Sequence, residues 1–252
     1  MNYSIIITYC CKRVNELSEL LSSIESQTLP PAEIVIVTDG PADEIKHHSN
    51  KLTKIYNHKR VKRPAPLRNF GLTKVKHDYV FITDDDDVWS YRKAELQLDY
   101  IIKNKADLCF CKSSKFYETE SLVINNKPSI KNIDFNSLLL RNNLVMSSCL
   151  INYKINPDIK FPEPKDFRGW EDWFCWLNES YDKKKIILLC EKLVFYRKHI
   201  GSIKNNFITT MLKNQFEIIP SSFSISPLPL FLFYLLQVSR FVMMTIINLR
   251  VN

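Results

Sequence analysis

The chain has 252 residues, of which 45% are hydrophobic and 25% charged, and its formal net charge is +8. Length and composition suit one main folded domain with a C-terminal appendage, and the absence of low-complexity linkers and internal repeats excludes disordered and solenoid classes. A pI near 9 favours an anionic partner, a phosphorylated substrate or an acidic membrane surface; without a zinc-finger spacing or a nucleic-acid module, no nucleic-acid partner is expected.

In chain order, residues 3–8 read as a buried strand, and Val14, Leu17, Leu20, Leu21 and Ile24 fall at helical spacing behind it. Pro30 and Pro31 stop that helix before a second buried strand at 33–38, which completes a βαβ unit and ends in the turn Asp39-Gly40-Pro41. A third strand is expected at 54–57 beside a basic stretch, and a fourth at 79–83. A helix follows at 92–105, with Ala94, Gln97, Leu98, Ile101 and Ile102 in phase. Further strands are expected at 107–111, 147–153 and 186–190. The seven cysteines form no C-x-x-C pair and read as reduced thiols. The apolar run Ile5-Ile6-Ile7 has no basic region before it and is too short for a signal peptide, so a cytoplasmic location is expected.

The fourth strand delivers Asp84, Asp85, Asp86 and Asp87 in a row. Charges this close repel, and they stay ionised together only when solvated or when a hard metal ion shares their oxygens. A solvated acidic turn is the plain alternative. Against it, the block sits at a strand-to-helix crossing, where α/β proteins bind phosphates and metals. Farther along, Arg168-Gly169-Trp170-Glu171-Asp172-Trp173-Phe174-Cys175-Trp176 sets two acids among three tryptophans. Apolar surroundings raise a carboxyl pKa, as a general base requires. The same residues suit equally a helix whose aromatics pack inward while Glu171 and Asp172 occupy its first turn, where acids favour the dipole.

Six pieces of sequence, taken together and in order, resemble the family-two glycosyltransferases of the GT-A fold over residues 3–205. They are Ile5-Ile6-Ile7-Thr8-Tyr9, Ser26-Gln27-Thr28, the stretch 33–40, Leu67-Arg68-Asn69-Phe70-Gly71, the stretch 84–89 and Trp170-Glu171-Asp172. The resemblance implies an α/β fold with a mixed, mostly parallel sheet flanked by helices. Residues 1–105 would form the nucleotide-binding half and 106–205 the acceptor half. It further implies an inverting transfer from a nucleotide-diphosphate sugar, expected to be a UDP-sugar, to an acceptor hydroxyl in bacterial surface polysaccharide synthesis. Thr8 and Tyr9 would line the nucleotide-sugar site, Asp39 would accept a hydrogen bond from the base, and Arg68, Asn69 and Arg197 would meet the nucleotide or its phosphates. Asp84 would face the ribose with Asp85 or Asp87 assisting, and Asp86, joined by His199, would hold Mn²⁺ or Mg²⁺. Asp172 would be the catalytic base, and Glu171 would orient it or the acceptor. Two departures stand out: Cys10-Cys11 replaces the usual end of the first strand's motif, and Thr38 replaces the first Asp of an Asp-Asp-Gly motif.

The tail, 206–252, carries an amphipathic pattern and then an apolar run at 230–251 with Arg240 near its middle. Burying that charge in a bilayer costs about 2.5 to 3.5 kcal/mol, which favours an interfacial helix over a spanning one. Peripheral contact of 227–252 with the inner face of the cell membrane would suit a lipid-linked saccharide acceptor. The alternative is packing on the catalytic domain or in a homodimer. A non-catalytic nucleotide-sugar-binding or scaffold protein is the competing function, and a nucleotidyltransferase is disfavoured because the four glycines form no phosphate loop.

Overall fold

The computed structural model describes residues 1–10, 12–115, 127–163 and 169–197. Strand β1 (Ser4–Tyr9) is buried at all six positions, as its run of isoleucines requires of a central strand covered on both faces. Helix α1 (Val14–Glu25) buries Leu17, Leu20, Leu21 and Ile24, the expected stripe, and returns the chain to β2 (Glu33–Asp39), parallel to β1. Strand β3 (Thr53–His58) adds outside β2. After helix α2 (Pro64–Leu72), strand β4 (Tyr79–Asp84) pairs with the other side of β1, and Thr8 lies opposite Asp84. The strand order therefore reverses between β1 and β4, and the crevice at their carboxyl ends is where open α/β sheets place ligands.

The second half extends the same sheet. It contains β5 (Val88–Trp89), α3 (Lys93–Lys103), β6 (Leu108–Lys115), β7 (Ile130–Ile133), α4 (Phe135–Leu140), β8 (Cys149–Asn152), α5 (Glu171–Tyr181) and β9 (Ile186–Tyr196). Strand β8 is antiparallel to both β4 and β6, and β6 runs parallel to β9. Among the described residues nine strands form one mixed sheet in the order β3-β2-β1-β4-β8-β6-β9-β5, with β7 also paired to β9. The pleat splits the core in two. Ile5, Ile7 and Phe81 pack with α1 and α3 on one face, whereas Ile6, Val80 and Ile82 pack with α5 on the other.

The elements β5, β7 and α4 have no counterpart in the sequence pattern, and three others depart from it. The strand expected from residue 147 starts at Cys149, because Met146–Ser148 forms a 3-10 turn. The strand expected at 186–190 runs to Tyr196, and a register shift opposite β6 carries it past the polar Glu191 and Lys192. Helix α2 had no periodic signal, being nine residues long with proline in its first turn, a position that helices accept. His199 and residues 206–252 lie outside the described residues; among those described, no helix is long and apolar enough to cross a membrane.

Two packing features make testable statements. A Cβ on Gly71 would lie 2.6 Å from Cγ2 of the fully buried Ile6, so α2 reaches β1 this closely only with glycine there. Gly71→Ala is expected to destabilise the protein by about 1 to 3 kcal/mol, seen as a lower urea midpoint at unchanged slope. Lys93 is fully buried, its Nζ 3.8 Å from the ring centroid of Trp89 and 4.3 Å from that of Phe81, with no hydrogen-bond partner among the described residues. Burial pushes its pKa down from 10.5 to about 8. Between those values the unfolded chain binds the extra proton, so this group makes the fold more stable as pH rises through that window. Lys93→Met should be at least as stable as the wild type near neutral pH, and its advantage should shrink in urea titrations repeated at about pH 9.5.

Candidate active site

The four aspartates turn off the end of β4 and divide by burial. Asp84 keeps 32% of its side chain exposed, and its Oδ1 accepts from Thr8 Oγ1 at 3.0 Å and from Arg68 Nη2 at 2.9 Å. Asp85 is buried; its Oδ2 accepts from the Cys10 backbone N–H at 2.7 Å and its Oδ1 from Arg13 Nη1 at 2.9 Å. Asp86 Oδ2 accepts from the same Arg13 nitrogen at 2.7 Å. Asp87 is fully buried and accepts from the backbone N–H of Arg197 at 3.0 Å. Burial, the largest cause in each case, pushes Asp85 up to about 7 and Asp87 up to about 8. Asp85 and Asp87 thus hold chain segments in place, while Asp84 keeps the most open carboxylate. The expected contact of Asp85 with the nucleotide sugar gives way to an anchoring role, because both its oxygens are engaged inside the protein.

Arg68, carried on α2, reaches inward. It is 3% exposed, and besides Asp84 it meets Glu171 Oε1 through Nη1 at 3.3 Å, with its guanidinium carbon 5.5 Å from the ring centroid of Phe161. Burial works against its charge, but Asp84 and Glu171 outweigh it and hold the guanidinium above its ordinary pKa. Glu171 and Asp172 open α5, so the tryptophans pack inward and the acids occupy the first turn, as the helix reading of this segment expects. Glu171 is buried and accepts from the Gly169 N–H at 2.6 Å, whereas Asp172 stays partly exposed. Burial pushes the Asp172 carboxyl up to about 7, Glu171 adds repulsion, and Arg68 opposes both.

Other expected residues sort differently. Thr8 joins the crevice through Asp84, but the ring of Tyr9 is buried in the core and its hydroxyl donates to Glu44 Oε1 at 3.1 Å, so that side chain faces away from the crevice. Asn69 spends its amide on the segment before α5: Nδ2 donates to Phe161 O and to Glu163 Oε1, both at 2.8 Å, and Oδ1 accepts from Phe161 N at 2.8 Å. Its expected nucleotide contact gives way to a clamp, because both ends of the amide are occupied. Asp39, at the end of β2, accepts from the N–H of Val61 at 2.7 Å and of Lys62 at 3.1 Å, fixing the basic loop beside the crevice. Arg197 turns back on the acidic turn, with Nε donating to the Asp86 carbonyl at 2.9 Å and the guanidinium also pairing with Glu19. Arg13, Glu44 and Ser147, whose hydroxyl accepts from Asp84 N at 3.1 Å, were not singled out by sequence reasoning. For Arg13 the available signal was a cation just after β1, obscured by the Cys10-Cys11 departure.

The family model for glycosyl transferase family 2 matches residues 4–156. The chain belongs to that family. An Escherichia coli relative named UDP-Glc:alpha-D-GlcNAc-diphosphoundecaprenol beta-1,3-glucosyltransferase WfaP is 26% identical over 215 residues, covering 83% of this chain and 82% of that one. An uncharacterized glycosyltransferase of Rickettsia bellii is 25% identical over 173 residues, 67% of this chain but only 25% of the relative's length. Among solved structures, TarS 1-349 of S. aureus in complex with UDP-GlcNAc aligns with a TM-score of 0.64 at 20% identity, over 80% of this chain and 60% of that one. With the sheet order described above, that likeness makes the fold GT-A.

For this family-2 chain the link between Glu171 and Asp172 is open to direct measurement. Glu171→Gln removes the repulsion and releases Arg68 from one partner, and both changes favour the ionised form of Asp172. A carboxyl ¹³C NMR titration should place Asp172 near 7 in the wild type and at a lower pH in the variant; an unchanged midpoint would break the link.

Proposed function

We propose that the chain is an inverting glycosyltransferase that moves a sugar from a UDP-sugar to a hydroxyl of a lipid-linked saccharide in bacterial surface polysaccharide synthesis. The observation that supports this reading is the chain of contacts from Asp84 through Arg68 to Glu171, which ties the acidic turn to the first turn of α5, where Asp172 follows Glu171. The donor and acceptor classes are supported by the names of WfaP, a UDP-Glc enzyme acting on a diphosphoundecaprenol-linked sugar, and of the UDP-GlcNAc complex of TarS. In this proposal the tail at 227–252 attaches the enzyme to the cytoplasmic face of the membrane that holds the acceptor.

Among the described residues no group of three or more His, Cys, Asp or Glu side chains converges as a metal cage. That fits Mg²⁺ or Mn²⁺ of the kind that takes one or two carboxylates from the protein and its remaining oxygens from substrate phosphates and water. Asp86 and Asp84 would supply those carboxylates, and His199 is the further ligand proposed. The ion, when bound, neutralises charge growing on the leaving diphosphate. Asp172 takes the proton of the acceptor hydroxyl as its oxygen bonds to the anomeric carbon, while the bond from that carbon to the diphosphate oxygen breaks with its electron pair. One displacement inverts the centre. Asp39, whose oxygens also hold the Val61 and Lys62 N–H groups, would accept a further hydrogen bond from the base, and Glu171 would fix Asp172 through their shared helical turn.

Asp172→Asn preserves shape while removing the proton acceptor. It should lower transfer by about 10² to 10⁴-fold and leave UDP affinity intact by calorimetry. Unchanged turnover removes the base assignment, and a wild type that neither transfers from nor hydrolyses any UDP-sugar with Mn²⁺ or Mg²⁺ present removes the donor class.

A further inference from the structure

Arg13 is a cation placed where the proposed reaction needs a different one. Its single nitrogen Nη1 lies 2.9 Å from Asp85 Oδ1 and 2.7 Å from Asp86 Oδ2, so one guanidinium edge neutralises two neighbouring acids of the turn. Its position is easy to vacate. The side chain is 34% exposed, Arg13 sits at the N-cap of α1 without a side-chain cap bond, and Lys12 before it has φ +81°. The backbone around it is held by other contacts, the Cys10 N–H on Asp85 and the Lys12 N–H on Glu44. If the guanidinium leaves, Asp85 keeps the Cys10 N–H, while Asp86 Oδ2 loses this arginine.

Resting on the metal reading above, we propose that Arg13 is an exchangeable counter-cation. It holds Asp86 in the resting protein and hands it over when a divalent ion arrives with the donor. A divalent ion alone must displace a paired guanidinium and offers it no new anionic partner in exchange. A diphosphate changes that balance, because its oxygens bind the ion and also accept the released arginine as a fork donor. Arg13 thereby couples metal affinity to nucleotide occupancy, a positioning residue that keeps metal without donor from filling the site.

The test measures Mn²⁺ binding by electron paramagnetic resonance, with and without UDP, on the full chain. Arg13→Gln and Arg13→Met, the latter keeping the apolar stem, should each bind Mn²⁺ alone at least about tenfold more tightly than the wild type. UDP should tighten Mn²⁺ binding less in both variants than in the wild type, whereas Arg13→Lys should stay close to the wild type in both respects. If the neutral variants, shown folded by thermal denaturation, bind Mn²⁺ alone no more tightly, the inference is overturned even though the wild type binds Mn²⁺ with UDP. A wild type that binds no Mn²⁺ even with UDP removes the metal reading itself.

Discussion

The buried guanidinium of Arg68 is the contact on which the rest of the site depends. A charge 3% exposed is tolerated only when its partners are fixed, because removing one leaves an uncompensated ion in a low-dielectric setting. The partners come from distant parts of the chain, Asp84 from β4 and Glu171 from α5, with Phe161 offering a ring face. The packing of α2 and α5 on the Ile6 face of the sheet must therefore be correct before the charge is balanced. Gly71 supports this from below: α2 carries Arg68, and its approach to Ile6 sets how far the guanidinium reaches.

The same reasoning explains why four aspartates in a row do not act alike. The turn leaving β4 buries Asp85 and Asp87, and each stitches a different strand end to the turn, Asp85 the residues after β1 and Asp87 the end of β9. Asp84 keeps its carboxylate partly open, while Asp86 is closed by Arg13. The two acids that accept backbone N–H groups, Asp85 and Asp87, are therefore the anchors of the turn.

Much of this was legible in the residues. Isoleucine-rich β1 and the stripe on α1 specify a central parallel unit by periodicity alone, and the acidic block at the end of a strand marks the crevice. Long-range side-chain commitments were not legible. Nothing local to Asn69 shows that Phe161, ninety-two positions away, claims its amide, and nothing local to Tyr9 shows that its hydroxyl turns to Glu44. Such pairings depend on the packing of whole elements. The segment at 170–176 was ambiguous for another reason: a helix start that buries aromatics and presents acids to a crevice has the same pattern as one whose acids serve only its first turn.

The site carries an excess of negative charge that defines what can enter it. Asp84, Asp85, Asp86, Asp87, Glu171 and Asp172 face three arginines, Arg13, Arg68 and Arg197, among the described residues. Burial first, and the neighbouring acids after it, push Asp85 and Asp172 up to about 7 and Asp87 to about 8, which lessens that charge near neutral pH. A diphosphate of the proposed kind is itself anionic, so it meets repulsion from this turn unless cations accompany it or arginines turn toward it. In the proposed exchange both routes act on Asp86, whose oxygen a divalent ion would take as Arg13 releases it. On that proposal entry of the donor is tied to an exchange of cations, and the chain's net charge of +8 favours the approach of an anion to a crevice that would otherwise repel it.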